Sequence, residues 1–274
     1  VWWEVQLKVV RWLECSADGP GTRIAFLKGT DLNLRCYPEP GIRPMADVDL
    51  LVDGSNSRRM AAVLKELGYR RLDADDAPAV HLAFQTRWSN PHGRVMVEVH
   101  TAPDWSEAIG VSTGELLERS VRVEGDTIRV LDGPDMLMNV ATHAVRDMRA
   151  AWRRPVVDAC YALASLQMPW ERVVERARAW KARPALYALL ARARAFAGAE
   201  VPYGVLRQLD TAGVSGRLAR WLGGGIDLPA ALQSDWPERW VRLGMMESAG
   251  GRAKFAARYA RLRLRDRLVT RGKK

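Results

Sequence analysis

The chain has 274 residues, 48% of them hydrophobic, enough for one large core or two ordinary ones. No apolar run approaches the length of a membrane span. The three cysteines fit a reducing cytosol; they include no CxxC pair for zinc and make no disulfide framework. The net charge of +10 is uneven: residues 251–274 hold ten Lys or Arg against one Asp, leaving the rest almost neutral.

The opening "VWWEVQLKVV" lacks the basic start, long apolar middle and small-residue cleavage site of a signal peptide, so a cytoplasmic location is expected. The missing initiator Met suggests a fragment or a trimmed chain. "RIAFLKG" (23–29) reads as a short buried strand and "DLNLRCY" (31–37) as a helix ended by Pro38. "PEPGIRPMA" (38–46) is a Pro/Gly loop and "VDLLV" (48–52) a strand. "SNSRRMAAVLKELGY" (55–69) is an amphipathic helix with a Ser or Asn cap and Gly68 at its end. "VHLAFQTRW" (80–88) and "RVMVEVHT" (94–101) are strands around an Asn-Pro-His-Gly turn, and residues 120–131 form a hairpin. After "DGPD" (132–135) apolar residues recur every three to four positions almost to the end, which predicts helices. The organisation expected is an α/β domain over 1–133 and an α-helical domain with a basic tail over 134–274.

Alternate side chains of a strand share a face. Asp47 and Asp49 therefore project together while Val48 and Leu50 point into the core. Two such carboxylates repel unless a cation sits between them, and hard oxygen donors suit magnesium, which takes one or two protein carboxylates plus substrate phosphates. Glu98 lies on another apolar strand, where a carboxylate is costly without a partner. Three acids on two strands can hold two metals about 3.5–4 Å apart, as in-line phosphoryl or nucleotidyl transfer requires. Upstream, Lys28-Gly29-Thr30 joins a strand to a helix. Gly29 allows close backbone approach, the helix start offers N–H groups and a positive dipole end to a phosphate, Thr30 adds a hydroxyl and Lys28 a charge.

The stretch "LKGTDL…YPEPGIRPMADVDLLV", then "VEVHT", then "DMLMNVATHAVRD" resembles the uncharacterised bacterial nucleotidyltransferase family of the DNA-polymerase-β-like nucleotidyltransferase superfamily, over roughly residues 23–160. The resemblance implies an α+β catalytic domain followed by a helical one, with the substrates in the cleft between them. It implies a metal-dependent enzyme moving a nucleoside monophosphate from an NTP to an acceptor hydroxyl, with Mg²⁺ or Mn²⁺ as cofactor. Gly29 and Thr30 match its phosphate-binding turn, Asp47 and Asp49 its metal carboxylates, and Glu98 the third acid. Gly-Thr stands where Gly-Ser or Gly-Gly is usual, and Glu98 where Asp is usual. Family members often carry a longer helical N-terminus.

Other residues have two readings each. Arg43 touches a triphosphate or pairs with an Asp to order the loop. His100 orients a metal ligand or acceptor hydroxyl, or is a plain hydrogen-bonded histidine. His143, mid-helix among apolar neighbours, is a core histidine or a cleft-facing proton acceptor. Trp105 is packing or lines an acceptor pocket. The tail packs one helical face on the body, or binds an anion such as nucleic acid. The acceptor is accordingly left between a small molecule and a protein. The alternatives are a toxin-like transferase acting on tRNA and a non-catalytic module using the basic arm.

Overall fold

The computed structural model describes residues 2–17, 23–72, 84–103, 110–146, 152–224, 235–257 and 260–261. They divide into two units, one of Val1–Pro103, Ser112–Asp132 and Ala257–Lys274, the other of Asp104–Val111 and Gly133–Ala256.

The first unit is α+β. It opens with helix α1 (Trp2–Ala17), followed by β1 (Ile24–Phe26), α2 (Lys28–Arg35), β2 (Asp47–Val52), α3 (Ser57–Glu66) and β3 (Arg70–Arg71). Then come β4 (Gln85–Ser89), β5 (Met96–His100), α4 (Thr113–Arg119), β6 (Val121–Arg122) and β7 (Arg129–Val130). The strands form one mixed sheet in the order β3-β4-β5-β2-β1-β7-β6. β2 is central, antiparallel to β1 and parallel to β5. A strand with both faces covered reads as a near-continuous apolar run, and Val48, Leu50, Leu51 and Val52 are all buried. Val10 and Leu13 of α1 and Met60 and Leu64 of α3 close the core over Val48, Leu50, Val97 and Trp88.

Several boundaries differ from the periodicity reading. β1 stops at Phe26, and Lys28, Gly29 and Thr30 form the first turn of α2 instead of ending the strand. Lys28 has φ +48°, a left-handed backbone that turns the chain directly from sheet into helix. β4 begins at Gln85; residues 80–83 lie outside the described residues. Helices α1 and α4 were not legible as elements. α4 is short, but Ser112 and Glu115 form a reciprocal capping box that fixes its start. The Asn-Pro-His-Gly turn is present, with the Gly93 N–H donating to Asn90 O at 2.9 Å and Gly93 at φ +64°. The helix read over 55–69 runs Ser57–Glu66 after one 3₁₀ turn.

The second unit is helical: α5 (Gly133–Arg146), α6 (Arg153–Ser165), α7 (Trp170–Ala179), α8 (Arg183–Ala197), α9 (Tyr203–Leu209), α10 (Gly213–Gly223) and α11 (Asp235–Met245). Residues 249–257 are again helical. Trp180, fully buried, donates its indole N–H to buried Asp135 at 2.7 Å, joining the start of α5 to the end of α7. No described helix is long and apolar enough to cross a membrane.

A buried ion pair anchors α2 within the first unit. Arg35 Nε donates to Asp31 Oδ1 at 2.6 Å, and Arg35 Nη2 donates to Leu131 O at 2.8 Å just beyond β7. Burial pushes the Asp31 carboxyl up to about 6; Arg35 opposes the shift and Asp132 adds to it. A carboxyl raised on folding binds its proton more tightly in the native state than in the unfolded chain. Its unfavourable ionisation is absent below the unfolded value and grows as pH rises through the folded one. Relative to Asp31→Asn, the unmutated chain is expected to lose on the order of 3 kcal/mol of stability between pH 4 and pH 7. Urea unfolding of both proteins at the two pH values checks this; parallel pH profiles contradict it.

Candidate active site

Parallel pairing of β2 with β5 sets Asp49 directly opposite Glu98, and Leu51 opposite His100. Two segments some fifty residues apart therefore deliver their acids to one place. Oxygens of Asp49 and Glu98 and a ring nitrogen of His100 all lie within 4.8 Å of one another. Asp47, two residues before Asp49 and so on the same face, is half-buried at the strand mouth.

Asp49 is the hub. Its Oδ1 accepts from Lys28 Nζ at 2.8 Å and lies 2.8 Å from His100 Nε2. His100 Nε2 is also 3.6 Å from Glu98 Oε2. All three groups are nearly shut off from solvent: Lys28 is 8%, Asp49 5% and His100 2% exposed. The Lys28 ammonium thus supplies the compensating charge that adjacent carboxylates in an apolar strand need.

The titration shifts follow from this geometry. Burial alone raises Asp49, but Lys28 and His100 outweigh it and hold the carboxyl well below the usual carboxylate range. Burial, then the charges of Asp49 and Glu98, push Asp47 up to about 6. Burial also raises Glu98, and the His100 hydrogen bond overcomes it, leaving the group lowered. Burial and Lys28 lower His100, but hydrogen bonds to Asp49 and Glu98 win and raise it. Three carboxylates here stand beside one ammonium and one imidazole, and oxygen donors with one imidazole form a donor set that fits a divalent cation.

The turn at Gly29 is tightly covered. A Cβ added there would lie 2.5 Å from Arg43 Nη1 and 2.8 Å from Met45 Cγ. Thr30 is fully buried, and its hydroxyl has no hydrogen-bond partner among the described residues. Lys28 at φ +48° carries a left-handed cost of about 1–2 kcal/mol for a residue with a Cβ. Such conformations persist where the surroundings over-determine them and concentrate at functional sites.

Three residues that position the site had not stood out in the sequence. Asn33, fully buried on α2, donates to Gly29 O at 3.1 Å and Arg43 O at 3.0 Å, and accepts from the backbone N–H groups of Gly41 and Arg43 at 2.9 and 3.3 Å. It pins the loop before β2 to the turn that starts α2. From α1, Gln6 Nε2 donates to Met45 O at 3.4 Å, and Trp3 packs so closely on Gly41 that a Cβ there would lie 2.8 Å from Trp3 Cβ. Asn33 carries a faint signal, an amide on a short helix beside a Pro/Gly loop; Trp3 and Gln6 carry none.

Lys28, Gly29, Thr30, Arg43, Asp47, Asp49, Glu98 and His100 all belong to the first unit, and the carboxylate–imidazole cluster is built from it alone. His143 lies half-buried on α5 of the second unit. Trp105, and residues 258, 259 and 262–274 of the basic tail, lie outside the described residues.

The first unit is thus an α+β sheet carrying acids on two adjacent parallel strands beside a sheet-to-helix turn. Residues 15–198 match the model of a family described as uncharacterised nucleotidyltransferase, well over half of the chain. The chain belongs to that family and is a nucleotidyltransferase. Among solved structures it is similar to the antibiotic-resistance factor ANT(2″)-Ia in solution, at 17% identity and TM-score 0.48, over 64% of this chain and 91% of that one. It is also similar to the crystal structure of ANT(2″)-Ia in complex with adenylyl-2″-tobramycin, at 16% identity and TM-score 0.47, over 64% and 96%. No curated protein sequence matches the chain.

Proposed function

We propose that the chain transfers a nucleoside monophosphate from an NTP to an acceptor hydroxyl in a Mg²⁺- or Mn²⁺-dependent reaction, with the catalytic groups in the first unit. The observation that carries this reading is the pairing of Asp49 with Glu98 across β2 and β5, with Asp47 two residues away on the same strand. Asp47, Asp49 and Glu98 would hold the cation, which would supply charge neutralisation for the phosphates. Gly29 and the first turn of α2 take the β- and γ-phosphates, with Lys28 and Arg43 supplying positive charge. The acceptor oxygen bonds to the α-phosphorus, the bond from that phosphorus to the bridging oxygen breaks, and pyrophosphate leaves. Glu98, beside His100, receives the acceptor proton. The acceptor is a hydroxyl of a small molecule or a protein.

The test is a transfer assay with each of the four α-labelled NTPs, Mg²⁺ or Mn²⁺, and a cell extract as acceptor source, beside Asp47→Asn. Label should pass to an acceptor, pyrophosphate should appear in equal amount, and both should stop in EDTA and fall strongly in the variant. Transfer that persists in EDTA, or that is unchanged by Asp47→Asn, contradicts the proposal.

A further inference from the structure

Asp49 Oδ1 already carries two partners, Lys28 Nζ and His100 Nε2, each at 2.8 Å. A carboxylate oxygen has about two acceptor positions, so Oδ1 is filled, and an ion bound through the second oxygen of the same carboxylate still has the Lys28 ammonium close beside it. The two donors differ in their freedom to go. His100 is a rigid ring on β5, 2% exposed and also set against Glu98. Lys28 is a four-carbon stem with a rotatable ammonium, rooted at the first residue of α2 and adjacent to Gly29. An ammonium and a divalent cation in contact with the same oxygen also repel each other strongly at low dielectric. Asp47, Asp49 and Glu98 share this pocket with Lys28 and His100, and a divalent cation brings two charges to them where the lysine brings one.

We propose that Lys28 is a resident counter-ion that a divalent cation displaces from Asp49, so that metal entry and release of the Lys28 ammonium toward the start of α2 are one coupled event. This rests on the metal-binding reading of Asp47, Asp49 and Glu98 given above. Before loading, Lys28 offsets part of the charge of the acid cluster, and its departure delivers a positive charge to the place where the triphosphate is to sit. The coupling also weakens metal binding in the absence of nucleotide, because the ion must first expel the lysine.

The test is Mn²⁺ binding without nucleotide, followed by the electron paramagnetic resonance signal of free Mn²⁺, for the unmutated chain, Lys28→Met, Lys28→Asn and Asp49→Asn. Asn is included because it tolerates the left-handed backbone. Both Lys28 variants should bind Mn²⁺ roughly tenfold or more tighter than the unmutated chain, and Asp49→Asn should bind it least. Their melting temperatures should rise more on adding Mn²⁺ than that of the unmutated chain. A second measurement needs no substitution. Limited acetylation read by peptide mass spectrometry should find Lys28 poorly reactive without metal and clearly more reactive with Mn²⁺. If the unmutated chain binds Mn²⁺ through Asp49 but the Lys28 variants bind it no tighter, or Lys28 reactivity does not change, the displacement is wrong and the metal site stands. If no protein binds Mn²⁺ at millimolar concentration, the metal reading falls, and the displacement with it.

Discussion

Asp49→Asn should abolish nucleotidyl transfer while leaving the fold recognisable. The amide matches the carboxylate in shape and keeps an oxygen that can accept from Lys28 Nζ or His100 Nε2, both 2.8 Å from Oδ1 in the native chain. What it removes is the charge. Lys28 then sits 8% exposed beside a neutral group, and the site loses the carboxylate held most firmly in its ionised form. Neutralising phosphate charge with a bound cation supplies several kcal/mol of transition-state stabilisation, so losing it corresponds to on the order of 10³-fold in kcat/KM. The measurement is kcat/KM for the preferred NTP, with circular dichroism on the same samples. A folded variant retaining activity within about tenfold of the parent would remove Asp49 from the centre of the reaction. Asp47→Asn should be milder, because Asp47 is only half-buried at the strand mouth, whereas Asp49 is the hub on which Lys28 and His100 converge.

Asn33→Ala should be among the most destabilising substitutions in the first unit that do not touch the acids. It deletes an amide that bonds four backbone groups, those of Gly29, Gly41 and both the N–H and C=O of Arg43. Each buried backbone group left without a partner costs about 1–3 kcal/mol, and water can enter the loop to recover some of them. A net loss of about 3–4 kcal/mol follows. The damage should not stay local, because the same loop covers Gly29 through Arg43 and Met45 and runs directly into Asp47. KM for the NTP is therefore expected to rise more than kcat falls. Urea unfolding and steady-state kinetics on one preparation check both halves. A variant as stable as the parent, or one that loses kcat alone, contradicts this role.

The legible part of this protein was the part written in short-range pattern. The apolar runs "VDLLV" and "RVMVEVHT" marked β2 and β5, and the acids within or just before them singled out Asp47, Asp49 and Glu98 because buried carboxylates need a reason. Gly29 beside Lys28 and Thr30 announced a special turn. The helical spacing after residue 133 announced α5 to α8. Boundaries were less legible. The end of β1 depends on the left-handed backbone of Lys28, which no apolar period encodes.

Local sequence determined which strands carry acids and which face each acid takes, because side-chain alternation along a strand is a property of the backbone itself. Only the tertiary structure decided that Asp49 would face Glu98 and stand against His100, because strand order and register are chosen by burial of the whole sheet. The same holds for Lys28 as the counter-ion of Asp49, twenty-one residues away, and for Asn33, Trp3 and Gln6 as the supports of the loop before β2. Such contacts form between segments with no periodic relation to one another, and they exist only once the core between them has closed.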